Sequence, residues 1–164
     1  MKFTLSSSAL SSRLQTLAKV INSKNSLPIL ESFLFQVHNG QLTITASDSE
    51  NVMQTSLALD QFDTDGNFAI PSHTVLDAVK ELPEQPLTFE VNMNTYEVTA
   101  GYQNGQYQFT AQNADEYPQT APIQNDVHAI TIDAAALNNN INRTLFATDN
   151  NEIRPVMNLS LIHI

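Results

Sequence analysis

Two prolines 127 residues apart set the frame for this chain. Pro28 lies in Leu27-Pro-Ile-Leu30 and Pro155 in Arg154-Pro-Val-Met157. Proline has a fixed φ and no N–H, so it cannot continue a helix, and it biases the preceding residue towards extended backbone. A helix-like segment precedes Pro28 and a strand-like run, Phe33 to Val37, follows it, so the stretch is a helix-to-strand crossover. The same offset carries Phe3-Thr4-Leu5 onto Ile130-Thr131-Ile132, Ala9-Leu10 onto Ala136-Leu137 and Leu14 onto Ile141, without a gap. Solenoid units repeat every ~20–50 residues. An offset of 127 residues is instead the length of a domain. The chain therefore reads as one complete domain followed by the opening of a second copy.

Within the first copy the elements occur twice in one order. Lys2 to Leu5 alternates as a short strand, Ser6 to Ser8 offer an N-cap, and Leu10, Leu14, Leu17, Ala18 and Ile21 make one apolar helical stripe. Three strands follow: Phe33–Val37, Gln41–Ala46 after a hairpin turn at Asn39-Gly40, and Asn51–Leu59. Asn67–Ile70 then begins the order again. Pro71-Ser72 opens a helix with the stripe Val75, Leu76, Val79 and Leu82, and alternating runs occur at Leu87–Met93, Tyr96–Ala100 and Tyr107–Ala111. The expected fold class is α+β: each domain is a double β-α-β-β-β unit with two helices on one side of the sheet. The expected boundaries are a complete domain at 1–120, a linker at 121–128, and the start of a second domain at 129–158, with a helix stripe of Leu137, Ile141 and Leu145.

Composition excludes several classes. With 164 residues, 41% of them apolar, the chain can bury a full core. Its net charge of −10 argues against an all-over basic nucleic-acid binder but permits a locally basic face. There is no cysteine, hence no disulfide or thiolate chemistry. No charged-then-apolar signal pattern opens the chain, and no apolar run approaches the ~20 residues that cross a bilayer. No membrane partner is expected, and the default location is cytoplasmic.

No catalytic residue, metal ligand or cofactor is expected. His38, His73, His128 and His163 lack the i, i+4 spacing of a metal pair, and no serine sits in a G-x-S-x-G setting. Asp63-Thr-Asp65-Gly66 places its glycine wrongly for a calcium loop and reads as a turn. Charge placement is more informative. Arg13, Lys19, Lys24, Lys80 and Arg143, five of the seven bases, lie on the three predicted helices and the loop after the first. Only Asp77 and Glu81, of seventeen acids, lie opposite the helix stripes. That side of the protein should be neutral to basic. Solvated helix faces commonly carry lysine, so the pattern fits both a plain surface and one that meets an anion.

The chain resembles the β subunits of bacterial DNA polymerase III, the sliding clamps. The resemblance rests on Met1-Lys-Phe-Thr-Leu5, Leu27-Pro-Ile-Leu30, Thr45-Ala-Ser-Asp48-Ser-Glu50, Ile70-Pro71 and Asp115-Glu-Tyr-Pro118, in the family's order, and covers residues 1 to about 158. It implies the DNA-clamp fold, with three similar domains per chain and two chains closed head to tail into a ring. Helices would line the hole. Such a ring encircles duplex DNA without sequence preference and tethers the replicative polymerase, as a processivity factor rather than an enzyme.

Partners implied for the full-length protein are double-stranded DNA, DNA polymerase III, the clamp loader and a second copy of itself. By family position Lys24, His73 and Asn151 are DNA contacts, and Lys80 joins them from the helix-side reading. Tyr107 and Phe109 match apolar positions of the dimer interface. Asn104, Gln106 and Thr74 stand where the family often carries bases, which weakens any inferred interface salt bridge. Residues 159–164, Leu-Ser-Leu-Ile-His-Ile, leave the family pattern and read as an artefactual tail. The expectation is therefore an N-terminal fragment that does not form the ring alone. The competing reading is an acidic α+β protein-interaction scaffold with no nucleic-acid role. The two differ in whether the helices share one side.

Overall fold

A computed structural model describes residues 1–21, 27–48, 50–118, 130–148, 155–159 and 161–162. The chain divides into two compact units, Met1–Ala121 and Pro122–Ile164. In the first unit, β1 (Lys2–Ser6), α1 (Ser7–Leu17), β2 (Ser32–His38), β3 (Gln41–Ser47) and β4 (Val52–Ala58) form one β-α-β-β-β run. A second run comprises β6 (Gly66–Pro71), α2 (Ser72–Lys80), β7 (Pro86–Val91), β8 (Glu97–Tyr102) and β9 (Gly105–Thr110). Two-residue strands, β5 (Gln61–Phe62) and β10 (Gln112–Asn113), follow the runs.

The strands form two five-stranded antiparallel sheets rather than one: β5-β1-β7-β8-β9 and β10-β6-β2-β3-β4. Each run gives its opening strand to the other's sheet. β1 pairs with β7, with Phe3 opposite Phe89, and β6 pairs with β2, with Phe68 opposite Phe35. Alternation in a sequence says which face of a strand is buried but not which strand lies beside it. This exchange makes each sheet depend on both runs, so the two runs fold as one unit.

The exchange converges on four phenylalanines, all fully buried. Phe3 stacks on Phe89 at 5.1 Å and Phe35 lies 5.4 Å from Phe68. Phe3–Phe68 at 6.4 Å and Phe35–Phe89 at 6.3 Å join the sheets. Leu10, Leu14 and Leu17 of α1 and Val75, Ala78 and Val79 of α2 enter the same core. The two helices also pack against each other.

A buried polar link fixes the start of α1. Ser7, fully buried, donates its hydroxyl to the Pro83 carbonyl at 2.7 Å and accepts the Gln85 N–H at 3.0 Å. Its own N–H donates to the Gln85 carbonyl at 3.0 Å. Ser7→Ala strands a buried donor and a buried acceptor, so it should cost about 1–3 kcal/mol. A urea unfolding midpoint measures this loss.

Motifs distant in sequence meet in a second, smaller cluster. Pro28–Glu31 is a 3₁₀ turn, and its Ile29 and Leu30 pack with Ala69 and Tyr117, against Leu34. Burial pushes the Tyr117 phenol up to about 12, the Ser47 backbone pulling weakly the other way. An acid whose folded pKa is raised keeps its stabilisation below the unfolded pKa and loses it above. Stability should therefore fall as pH rises from about 10 towards 12. Tyr117→Phe should flatten that part of a stability–pH curve.

The second unit contains α3 (Ala134–Thr144) and 3₁₀ turns at Leu145–Ala147 and Pro155–Asn158. The 127-residue offset holds in its local structure. α3 has the bounds of α1 shifted by that offset, and Pro155–Asn158 repeats the turn Pro28–Glu31. The caps also correspond: Ser6 Oγ accepts the Ala9 N–H at 3.1 Å, and Asp133 Oδ1 accepts the Ala136 N–H at 2.8 Å. Ile130–Ile132, which the repeat lays over β1, is not a strand. β1 owes its conformation to β7 and β5, and among the described residues nothing pairs with 130–132. The α3 stripe is largely open, with Ile141 37% and Leu145 56% exposed. The linker expected at 121–128 lies outside the described residues.

Candidate nucleic-acid interface

The helix side is built by packing. α1 turns its leucines inward, which leaves Ser12, Arg13, Gln15 and Thr16 facing out, with Lys19 in the turn beyond. α2 buries Val75, Ala78 and Val79, which leaves His73, Asp77 and Lys80 on an i, i+4, i+7 stripe. Among the described residues Arg13 and Lys19 make no ion pair. Lys80 Nζ meets Asp77 Oδ1 at 3.0 Å, and that hydrogen bond, with the Asp77 charge, raises the Lys80 pKa. Exposed pairs of this kind contribute only ~0–1 kcal/mol, so a competing anion can displace Asp77. His73 is exposed, its Nε2 3.1 Å from the Thr74 hydroxyl.

The two helix N-termini differ. Glu84 folds back over the start of α1, accepting the Ser6 hydroxyl at 2.8 Å and the Ser8 hydroxyl as well. Its carboxylate satisfies the positive end of that helix and repels phosphate there. α2 has no side-chain cap and no acid in its first turn, which holds His73. Sequence patterning missed Glu84, because it lies in the loop after α2 and reaches α1 only through the fold. On the described helix side Arg13, Lys19 and Lys80 are matched in number by Asp77, Glu81 and Glu84, so that side is near neutral in a chain of net charge −10.

The sheets hold charge differently. Lys2 pairs with Glu90 at 2.7 Å on β1 and β7, and its pKa is raised by that bond and that charge. Asp63 Oδ1 accepts the Lys2 backbone N–H at 2.6 Å, which holds the Asp63 carboxyl below its usual range. Asp65 bonds His38 and the Asn39 N–H. The Asp63–Gly66 stretch thus ties down β1 and the β2–β3 hairpin. Among the described residues no cluster of His, Cys, Asp and Glu could hold a metal ion, and no helix is long and apolar enough to cross a membrane.

Of the expected DNA-contacting residues, the structure puts His73 and Lys80 together on α2. Lys24 and Asn151 lie outside the described residues. Tyr107 and Phe109 lie on β9, the edge of its sheet. Phe109 is only 8% exposed and belongs to the core, while Tyr107 is half-buried and stacks on Tyr102 at 5.2 Å. β9 carries no charged side chain, so nothing on it discourages pairing with another strand.

Residues 1–121 match a family model described as the DNA polymerase III beta subunit, N-terminal domain. The beta sliding clamp of Bacillus subtilis is 27% identical over 164 residues, covering 96% of this chain and 43% of that protein. The beta sliding clamp of Synechococcus elongatus is 29% identical over 160 residues, covering 96% and 42%. A crystal structure of the DNA polymerase III subunit beta from Pseudomonas aeruginosa superposes with a TM-score of 0.86 at 24% identity, covering 96% of this chain and 42% of that one. The beta subunit structure from Streptococcus pyogenes gives 0.85 at 19% identity, covering 95% and 42%. The chain thus spans less than half the length of these relatives.

Proposed function

The chain belongs to the DNA polymerase III β-subunit family, and from that premise we propose that it is the N-terminal part of a sliding clamp. The whole protein would be a ring of two such subunits around duplex DNA, working in the cytoplasm with DNA polymerase III and a clamp loader. Residues 1–120 would be its first domain, 121–128 a linker and 129–158 the opening of the next. Retention on DNA would be topological, so individual contacts can be weak and the ring free to slide. Its effect on synthesis is one of effective concentration: a tethered polymerase rebinds its template intramolecularly. No catalytic group is needed for that.

The observation that carries this reading is the helix pair: both helices sit on one core, beside each other, with a near-neutral outer face in a strongly acidic chain. Lys24, His73, Lys80 and Asn151 are the proposed DNA contacts, with Arg13 and Lys19 added by their exposure. β9, with Tyr107 and Phe109, is the proposed edge for the partner subunit. A low-salt titration with two unrelated duplexes tests the DNA-facing assignment. Lys24→Ala and Lys80→Ala should each weaken binding equally on both duplexes and lower the salt slope by about 1. Glu90→Ala and Glu97→Ala, on strands, should change it little. Equal effects from the strand variants, or a preferred duplex, would defeat the assignment.

A further inference from the structure

The Asn39-Gly40 turn carries chemistry that the clamp reading does not use. Asn39 (φ 50°) and Gly40 (φ 76°) form the two-residue turn between β2 and β3, closed by His38 opposite Gln41. A Cβ on Gly40 would come within 2.9 Å of the Phe62 ring, so glycine is needed there for space as well as for its φ. His38 Nδ1–H donates to Asp65 Oδ2 at 2.7 Å, and His38 Nε2 accepts from Asn39 Nδ2 at 2.8 Å. Asp65 Oδ1 also accepts the Asn39 N–H at 3.1 Å. The site is open to water, with the His38 side chain 76% exposed. A carboxylate therefore orients an imidazole whose far nitrogen touches the amide nitrogen of an asparagine. That is the layout of a positioned proton shuttle, with a free lone pair on Nε2 beside the nitrogen that must leave. The next residue, glycine, has no side chain to hinder its backbone nitrogen.

From this geometry we infer that Asn39 is a self-modification site that loses its side-chain amide as ammonia through a cyclic imide. The Gly40 nitrogen attacks Asn39 Cγ and gives its proton to water. That water hands a proton to the free Nε2 of His38, which passes it to Nδ2 as the attack turns the amide nitrogen into an amine; the Cγ–Nδ2 bond breaks and ammonia leaves. The ring ends the step as it began, neutral and bonded to Asp65. Water then opens the imide at either carbonyl, leaving aspartate or isoaspartate at position 39. One water is consumed, one ammonia is released and nothing is oxidised or reduced. Either product puts a new carboxylate beside Asp65. The isoaspartate form also adds a methylene to the backbone of a turn whose length sets the β2–β3 register.

The chain supplies its own control. Asn104-Gly105 is the same dipeptide, exposed at the β8–β9 turn, but among the described residues no imidazole contacts Asn104. Gly105 also already belongs to β9, opposite Tyr102, whereas Gly40 lies in the turn itself. The test is to hold the whole chain at neutral pH and follow both sites by peptide mapping that separates aspartate from isoaspartate. Asn39 should convert about tenfold faster than Asn104, below the ~10²–10⁴ typical of a positioned acid–base group because this ring is open to water. His38→Gln should bring Asn39 down to the Asn104 rate without altering Asn104. In urea, where the Asp65–His38–Asn39 arrangement is lost, the two rates should converge. Equal rates in the native chain, an unchanged Asn39 rate in His38→Gln, or an advantage that survives urea would each overturn the inference.

Discussion

Phe3→Ala should lower the stability of this chain by about 3–5 kcal/mol, the usual cost of emptying a large aromatic site in a core. Phe3 is fully buried, stacks on Phe89 and reaches Phe68 across the junction of the sheets. It also sits on β1, the strand that the first run contributes to the second run's sheet. Its loss therefore weakens the contact between sheets and the exchange that unites the runs. Domains of this kind have ~5–15 kcal/mol of total stability, so much of the population should unfold in mild denaturant. Urea unfolding should show a large fall in midpoint with one cooperative transition retained. A loss below about 1 kcal/mol, in the range of surface substitutions, would show that the phenylalanine junction is not central.

Arg13→Glu combined with Lys19→Glu should abolish measurable binding to linear duplex even at low salt. The two substitutions take the formal charge from −10 to −14 and turn the exposed surface of α1 and the turn after it from basic to acidic. Affinity for duplex arises chiefly from counterion release by Lys and Arg, at a salt slope of about −0.9 per phosphate neutralised. Here that gain already opposes a repulsive net charge, so the parent should bind no better than the ~10⁻⁴ M end of non-specific affinities. Both positions are exposed and unpaired among the described residues, so the fold should be unaffected. Fluorescence anisotropy with a labelled duplex, alongside far-ultraviolet circular dichroism, separates loss of binding from loss of structure. Binding equal to the parent's would place the DNA-facing surface elsewhere.

Local structure was legible in the sequence where local chemistry determines it. The α1 stripe of Leu10, Leu14 and Leu17 is buried as its spacing requires, and the Asn39-Gly40 turn adopts the positive φ values that dipeptide favours. The 127-residue offset predicted a second helix, and α3 provides it; the cap by Asp133, equivalent to Ser6, emerged only with the structure. What escaped depends on distant pairing. Nothing in Lys2–Ser6 says that it will lie beside Pro86–Val91, so one sheet was expected and two are found. Ile130–Ile132 has the same alternation as Phe3–Leu5 yet is not a strand, because pattern without a partner strand makes no ladder. Charge was half legible. The bases could be assigned to helices, but Glu84 joins the helix side only by folding back onto Ser6 and Ser8.

Backbone amide shift mapping during a low-salt duplex titration tests the sliding-surface account most directly. Each amide reports its own surroundings, so the contact face is read without any substitution. The account predicts shifts confined to the outer faces of α1 and α2, around Ser12–Lys19 and His73–Glu81, with the same pattern on two unrelated duplexes. Shifts centred on the outward residues of the sheets, such as Thr43, Thr88 or Thr99, or a pattern that changes with DNA sequence, would contradict it.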